Sequence, residues 1–245
     1  ELGLIMKPLS LSILLLALSM GVSAEENLAL QQANFDPEDR GSIVHGAKSF
    51  VKYCLGCHSI KHIRYQRVAK DLGIDDTKIL AEVAPQDASI YDQMHTAMNA
   101  HDSEKWFGIQ PPDLSLVARS RSADWLYSYL KGFYTDTTKP LGTNNVIFKD
   151  VGMPNVFWQL QGEQKATYTT VDGQEVIDKL VSETPGTLSE QEFDTLINDM
   201  VNFLVYVGEP IKMERERLGK YVLFFLIMFL VIAYLLKKEY WKDIH

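Results

Sequence analysis

Residues 54–58 have the sequence Cys54-Leu55-Gly56-Cys57-His58, and this stretch decides the fold class. Two cysteines separated by two residues and followed directly by histidine form the spacing by which thiols bond covalently to a haem, while the histidine ligates its iron. The chain contains 2 cysteines, and both lie in this motif. The motif therefore predicts a covalent c-type haem, with Cys54 and Cys57 as the thioether sites and His58 as an axial ligand.

Two other interpretations of the motif are less favourable. A thioredoxin-like dithiol follows a strand and opens a helix in a βαβ unit, and the sequence around residue 54 predicts no such unit. A structural zinc site takes four nitrogen or sulfur ligands, and no further cysteine is present to supply a second pair at motif spacing.

The beginning of the chain has the features of a secretory signal. After Lys7, residues 9–20 are apolar, and small residues up to Ala24 precede two acidic residues. We expect residues 1–24 to comprise an upstream remnant and a signal peptide, although a short membrane anchor has similar features. An exported domain would then begin at residue 25.

The end of the chain carries a second membrane signal. Residues 221–236 form an uninterrupted apolar run, and residues 218–236 are long enough to cross most of a bilayer at about 1.5 Å per residue. A basic juxtamembrane segment, residues 211–220, precedes this transmembrane helix, and a basic tail, residues 237–245, follows it. A buried core helix is the alternative, but this run has no polar face. With the signal, the pattern places a periplasmic domain (25–210) on one anchor with a cytoplasmic tail.

The region 25–210 is predicted to be mainly α-helical. Asp36 before a proline predicts a helix start, residues 114–130 predict a helix interrupted near 120–122, and Ser189 with Glu192 predicts a capping box before 193–207. Asp172-Gly173 predicts the turn of a small β-hairpin, and residues 135–154 predict a long loop that could cover one face of the haem.

The net charge of the chain, −8, disfavours nucleic acid as a partner and suits a basic protein partner.

The sixth position of the iron needs a second ligand. Met153 is the best candidate because it stands between Gly152, which permits unusual backbone angles, and Pro154, which restricts them, in an otherwise irregular loop. A thioether would also stabilise the ferrous state. The other candidates considered are Met94, Met98, Met200, Met213, His45, His62, His95 and His101.

Residues near the haem can be proposed on chemical grounds. The carbonyl of Pro112 is a candidate to accept a hydrogen bond from the second nitrogen of His58 and so orient its ring. Arg121, and less favourably Arg119, could pair with the haem propionates. A plain loop proline pair and ordinary surface arginines are the alternatives.

Several segments together resemble a known family. They are Lys105-Trp106-Phe107-Gly108, Pro111-Pro112-Asp113-Leu114-Ser115, Arg119 and Arg121, Val151-Gly152-Met153-Pro154, and Val201-Asn202-Phe203-Leu204 with Gly208-Glu209-Pro210 before the anchor. The chain resembles cytochrome c1, the haem subunit of the proteobacterial cytochrome bc1 complex (ubiquinol–cytochrome c reductase). The resemblance implies a cytochrome c-like haem domain, mainly α with long loops and a small β-hairpin, plus one C-terminal transmembrane helix in the bacterial inner membrane.

The resemblance also implies a function and a set of site residues. Cys54 and Cys57 would bind the haem, His58 and Met153 would ligate its iron, and Arg121 would contact a propionate. Members of the family take an electron from the Rieske iron–sulfur protein and pass it to a cytochrome c, while cytochrome b oxidises the quinol. The chain would be an electron-transfer subunit and no enzyme by itself. Loops that carry partner-binding acids in some relatives are short here, so no docking site is transferred.

Other functional classes remain open at this point. A free-standing membrane-anchored electron carrier would share the haem and the anchor. A haem enzyme would need an open sixth site, which Met153 disfavours. The haem subunit of a terminal oxidase would accompany copper-containing subunits.

Overall fold

Helices and short antiparallel strand pairs alternate along the chain in a computed structural model that describes residues 30–171 and 173–242. In chain order the elements are α1 (Arg40–Tyr53), β1 (Ile60–Arg64), α2 (Tyr65–Leu72), α3 (Asp76–Val83), β2 (Gln93–Met94), α4 (Ala100–Phe107), α5 (Val117–Arg121), α6 (Ala123–Lys131), β3 (Phe133–Thr135), β4 (Thr143–Asn145), α7 (Trp158–Gln161), β5 (Gly162–Val171), β6 (Gln174–Pro185), α8 (Glu190–Gly208) and α9 (Lys212–Tyr240). β1 pairs with β2, β3 with β4 and β5 with β6. The predicted signal segment, residues 1–24, lies outside the described residues. The mainly α architecture with a hairpin agrees with the prediction.

The crossing of α1 and α8 organises the core. The rings of Phe50 and Phe203 are both fully buried there, with centroids 5.7 Å apart. At Gly46 the two backbones approach so closely that an added Cβ would lie 2.0 Å from the carbonyl oxygen of Asp199. The end of α1 carries the Cys54 motif, so this crossing fixes the position of the motif relative to α8.

Replacing Gly46 by alanine is expected to destabilise the domain by about 3 kcal/mol and to lower the Tm by roughly 6–12 °C, because the backbone of α8 would have to shift. Thermal unfolding followed by circular dichroism measures the change. Gly56→Ala is the matched control, since nothing lies within 4 Å of its added Cβ. Equal Tm values for the two variants would contradict the close crossing.

Some of the predicted helix boundaries are confirmed and one is wrong. The predicted start at Asp36 is wrong: residues 36–39 form a turn, and Asp39 caps α1 by accepting a hydrogen bond from the backbone of Ser42 at 3.0 Å. The predicted interruption is confirmed at Ser122, whose φ of 97° breaks the helix and whose hydroxyl caps α6. The predicted capping box of Ser189 with Glu192 is present at the start of α8.

The predicted loop 135–154 is not wholly irregular. Residues 143–145 pair with 133–135 as β4 and β3. The sequence did not predict β4, because its buried side chains are polar and lack the apolar alternation that marks most strands. The hairpin of β5 and β6 is present and is longer than predicted, extending from Gly162 to Pro185.

The last helix, α9, leaves the domain. It is 0% buried, and its most apolar window has a mean hydropathy of 2.3. Within the described residues it is the one helix long and apolar enough to cross a membrane. It therefore fits a single-pass anchor.

Candidate functional site

A cavity of about 560 Å³ lies between the end of α1, α5, α6, α8 and the loop that follows β4. Its walls are mostly apolar and aromatic, and its volume falls in the range of roughly 300–1,000 Å³ that ligand sites occupy. The predicted site residues all border this one cavity: Cys54, Cys57, His58, Pro112, Arg121 and Met153. Residues far apart in sequence thus converge on one site.

The two cysteines lie in a turn that continues directly from α1. The backbone N–H groups of Cys57 and His58 both donate to the carbonyl oxygen of Cys54, at 3.0 and 2.8 Å. Burial, with a smaller contribution from Cys57, raises the pKa of Cys54 to about 12, and burial also raises the pKa of Cys57. Redox-active dithiols depend on a lowered pKa, so these thiols are poorly suited to disulfide exchange. Among residues 30–171 and 173–242, no group of three or more histidine, cysteine, aspartate or glutamate side chains is placed to hold a metal ion.

The ring of His58 is held by the backbone of the loop opposite. Its Nδ1 lies 2.8 Å from the carbonyl oxygen of Pro112, as predicted from the sequence. A carbonyl only accepts, so Nδ1 carries the proton and Nε2 keeps its lone pair for a metal. Burial lowers the pKa of His58, opposed by the Pro112 hydrogen bond and the charge of Asp113. The imidazole therefore stays neutral, the form that ligates iron, to a lower pH than in water.

Hydrogen bonds to β1 and the residue before it place the carbonyl of Pro112. The backbone N–H of Leu114 donates to the carbonyl oxygen of Ser59 at 2.9 Å, and the N–H of Lys61 donates to Oδ2 of Asp113 at 3.0 Å. The chain directly after the cysteine motif is thereby tied to the loop that orients its histidine. These hydrogen bonds fix the position of the carbonyl, and the spacing of the motif alone does not predict them.

Met153 borders the cavity from a loop built on asparagine side chains. Oδ1 of Asn144 accepts a hydrogen bond from the backbone of Asp150 at 2.9 Å. Gly152 is needed for close packing, because an added Cβ would lie 2.9 Å from Cγ2 of Ile109. The predicted loop thus covers one side of the cavity and presents a thioether to it.

The two arginines proposed as propionate partners have different surroundings. Arg121 borders the cavity, and its guanidinium carbon lies 5.1 Å from the ring centroid of Trp125. Arg119 instead forms an ion pair with Glu209 at 3.0 Å and does not border the cavity. The geometry favours Arg121 as the residue available to an anionic group in the site.

The remaining candidates fall into distinct places. Met200 also borders the cavity, with Sδ 3.7 Å from Sγ of Cys54, whereas Met94 is fully buried in β2 outside it. Of the aromatic residues nearby, Tyr53 and Trp125 border the cavity, Tyr65 is buried in the core, and Trp106 is 59% exposed.

One residue of the site was not predicted. The hydroxyl of Tyr129 donates to Sδ of Met153 at 3.3 Å. The signal that could have identified it is its position four residues after Trp125, on the same face of a predicted helix.

The sequence profile of the cytochrome C1 family matches residues 31–244. The chain belongs to the cytochrome c1 family. Members of this family bind one covalent c-type haem, and the site fits that group: two thiols, a neutral histidine, a thioether and an arginine surround an apolar cavity.

Individual members and relatives support the assignment. The chain is 52% identical to cytochrome c1 of Allochromatium vinosum over 221 residues, which cover 88% of this chain and 90% of that protein. It is 43% identical to a protein of Nitrosomonas europaea named ammonia monooxygenase gamma subunit, over 95% of this chain and 96% of that protein. It is 24% identical to cytochrome b/c1 of Bradyrhizobium diazoefficiens, over 86% of this chain and 34% of that protein.

Proposed function

We propose that this member of the cytochrome c1 family is the electron-transfer subunit of a ubiquinol–cytochrome c reductase, the cytochrome bc1 complex. Its haem takes an electron from the Rieske iron–sulfur protein and passes it to a cytochrome c, while cytochrome b oxidises the quinol. The observation that carries the proposal is that Cys54, Cys57, His58 and Met153 all border one cavity. By itself the chain is no enzyme.

The bound haem supplies one-electron redox chemistry, and the residues of this chain fix how it is used. Cys54 and Cys57 would hold the group covalently, and His58 and Met153 would ligate its iron. An iron held by two protein ligands would favour electron transfer over the chemistry of a peroxidase or reductase. Pro112 keeps the ring of His58 in one orientation and one tautomer.

Arg121→Gln is expected to lower the midpoint potential by roughly 40 mV, equivalent to about 1 kcal/mol for a partly screened charge. The positive charge near the haem favours the state that has gained an electron, so its removal favours the oxidised state. Arg119→Gln is the matched control, because Arg119 pairs with Glu209. Potentiometric titration measures both, and a larger fall in the Arg119 variant would exclude Arg121 as the propionate partner.

The membrane arrangement is part of the proposal. We place residues 25–210 in the periplasm after removal of residues 1–24, and residues 211–220 at the outer surface of the bacterial inner membrane. Residues 218–236 cross the lipid, and residues 237–245 lie in the cytoplasm. The length and apolar composition of α9 support a single crossing. Export also brings Cys54 and Cys57 to the compartment where haem is attached to such motifs.

The relatives support cytochrome b as a partner. A protein named cytochrome b/c1 matches this chain over 34% of its own length, which is expected if the two cytochromes act together. The test is purification of the tagged chain from membranes, followed by optical and electron paramagnetic resonance spectra. We expect b-type haem and a Rieske signal to accompany the c-type haem.

Other outcomes of that purification point to other functions. A c-type haem without b-type haem or a Rieske signal would indicate a free-standing membrane-anchored carrier. Co-purification with a monooxygenase activity would instead connect the chain to the function named for the Nitrosomonas relative.

A further inference from the structure

Four side chains at four-residue intervals, from Arg121 to Phe133, form a continuous ladder, and the first three of them border the cavity. The guanidinium of Arg121 lies 5.1 Å from the ring centroid of Trp125. The rings of Trp125 and Tyr129 are stacked at 4.9 Å with an interplanar angle of 8°. The ring of Tyr129 meets Phe133 edge-on at 5.3 Å and 70°. The ring of Tyr129 is therefore held between two aromatic neighbours.

The backbone of Tyr129 is fixed as well. Its carbonyl oxygen accepts a hydrogen bond from Nδ2 of Asn145 at 2.8 Å. Asn145 begins the loop that leads to Met153, so the ladder and the Met153 loop are tied together at this point. With ring and backbone restrained, the direction of the Tyr129 hydroxyl is determined by the fold.

That hydroxyl is directed at the thioether. It donates a hydrogen bond to Sδ of Met153 at 3.3 Å. A thioether sulfur has two lone pairs, so it can accept one hydrogen bond and still donate its second lone pair to a metal. The hydrogen bond withdraws electron density from the sulfur and weakens it as a donor, and the more electron-poor ferric iron is affected more than the ferrous iron.

We propose that Tyr129 is a positioning residue that orients Met153 and raises the reduction potential of the haem through its hydrogen bond to the sulfur. This inference rests on the proposed role of Met153 as an axial ligand. The ladder holds the donor of this hydrogen bond in place. It also connects Arg121, proposed to contact the propionates, with Tyr129.

Tyr129→Phe tests the proposal because it keeps the ring and its stacking and removes only the hydroxyl. We expect the equilibrium constant for reduction to fall by roughly threefold to tenfold, the effect of one lost hydrogen bond. The far-red charge-transfer band of methionine-ligated ferric haem should persist. Tyr127→Phe is the matched control. It also removes a buried hydroxyl from α6, but this hydroxyl contacts Lys131 and lies away from the cavity.

A second measurement separates tuning of the sulfur from a general effect on the fold. Fluorotyrosine is a stronger hydrogen-bond donor than tyrosine because fluorine makes the phenol more acidic. Its incorporation should raise the potential of the wild-type protein and of Tyr127→Phe, and should leave the potential of Tyr129→Phe unchanged. This comparison keeps the fold of each background nearly constant.

The outcomes distinguish this inference from the proposal beneath it. A far-red band in the wild type, with equal potentials for Tyr129→Phe and Tyr127→Phe, would overturn the role of Tyr129 and leave Met153 as the ligand. Absence of the band in the wild type would overturn the ligation by Met153 itself. A rise in potential with fluorotyrosine in the Tyr129→Phe background would assign the effect to another tyrosine.

Discussion

Met153→Leu is expected to abolish the far-red band of the oxidised haem and to lower its midpoint potential by on the order of 0.1 V or more, within the roughly 0.8 V range that axial ligands cover. The thioether stabilises the ferrous iron, and leucine has no lone pair to replace it. The sixth position would then open to water or to added ligands such as carbon monoxide. Optical spectra and potentiometric titration of the purified protein measure all three effects.

Met200→Leu is the matched control for this result. Met200 also borders the cavity, but its sulfur lies against Cys54, and its side chain is fully buried in α8. We expect this variant to keep the far-red band and nearly the wild-type potential. If Met200→Leu lost the band while Met153→Leu kept it, the assignment of the sixth ligand would be wrong.

Replacement of both Cys54 and Cys57 by alanine is expected to eliminate covalently bound haem and to leave little folded domain. The cavity is lined by apolar side chains from α1, α6 and α8, so an unfilled site removes contacts from the centre of the fold. Haem staining of a denaturing gel should show no signal at the mass of the chain. Proteolysis in the native state should be much faster than for the wild type.

The single variant Cys57→Ala provides the comparison for the double variant. It should retain haem through one thioether at Cys54 and give a reduced signal on the same gel. Covalent haem in the double variant would contradict the attachment sites, since the chain contains 2 cysteines. A stable fold without haem would contradict the structural role of the group.

The parts of the site that the sequence could predict depend on chemistry fixed by neighbouring residues. Cys54, Cys57 and His58 follow from a contiguous motif. Met153 was identifiable because it stands between a glycine and a proline in an irregular loop, and its place at the cavity supports it. The hydrogen bond between His58 and the carbonyl of Pro112 agrees with the sequence prediction. The position of that carbonyl also depends on a hydrogen bond from the backbone of Lys61 to Asp113, which the sequence did not predict.

The features that were missed depend on tertiary contacts. The Tyr129 hydrogen bond needs the loop after β4 to return to α6, and that return depends on Asn144 and Asn145. The strand β4 has no apolar alternation to reveal it in the sequence. Its polar side chains can be buried because they form local hydrogen bonds. Helix α2, by contrast, was not predicted, although its apolar residues stand at the spacing typical of a helix.

Separate residues therefore carry the separate requirements of an electron relay. In the proposed relay, attachment at Cys54 and Cys57 would prevent loss of the haem, and the carbonyl of Pro112 orients His58, one of the proposed iron ligands. The Tyr129 hydroxyl contacts Met153, the other proposed ligand, and the ring of Tyr129 belongs to the ladder that begins at Arg121.

Stopped-flow reduction by quinol tests the central claim most directly. The complex purified with the tagged chain is mixed with a ubiquinol, and the c-type and b-type haems are followed at their separate wavelengths before oxidised cytochrome c is added. The proposal predicts rapid reduction of the c-type haem, followed by its reoxidation as the added cytochrome c becomes reduced. A c-type haem that stays oxidised while cytochrome c is reduced at the full rate would show that the electrons bypass this chain.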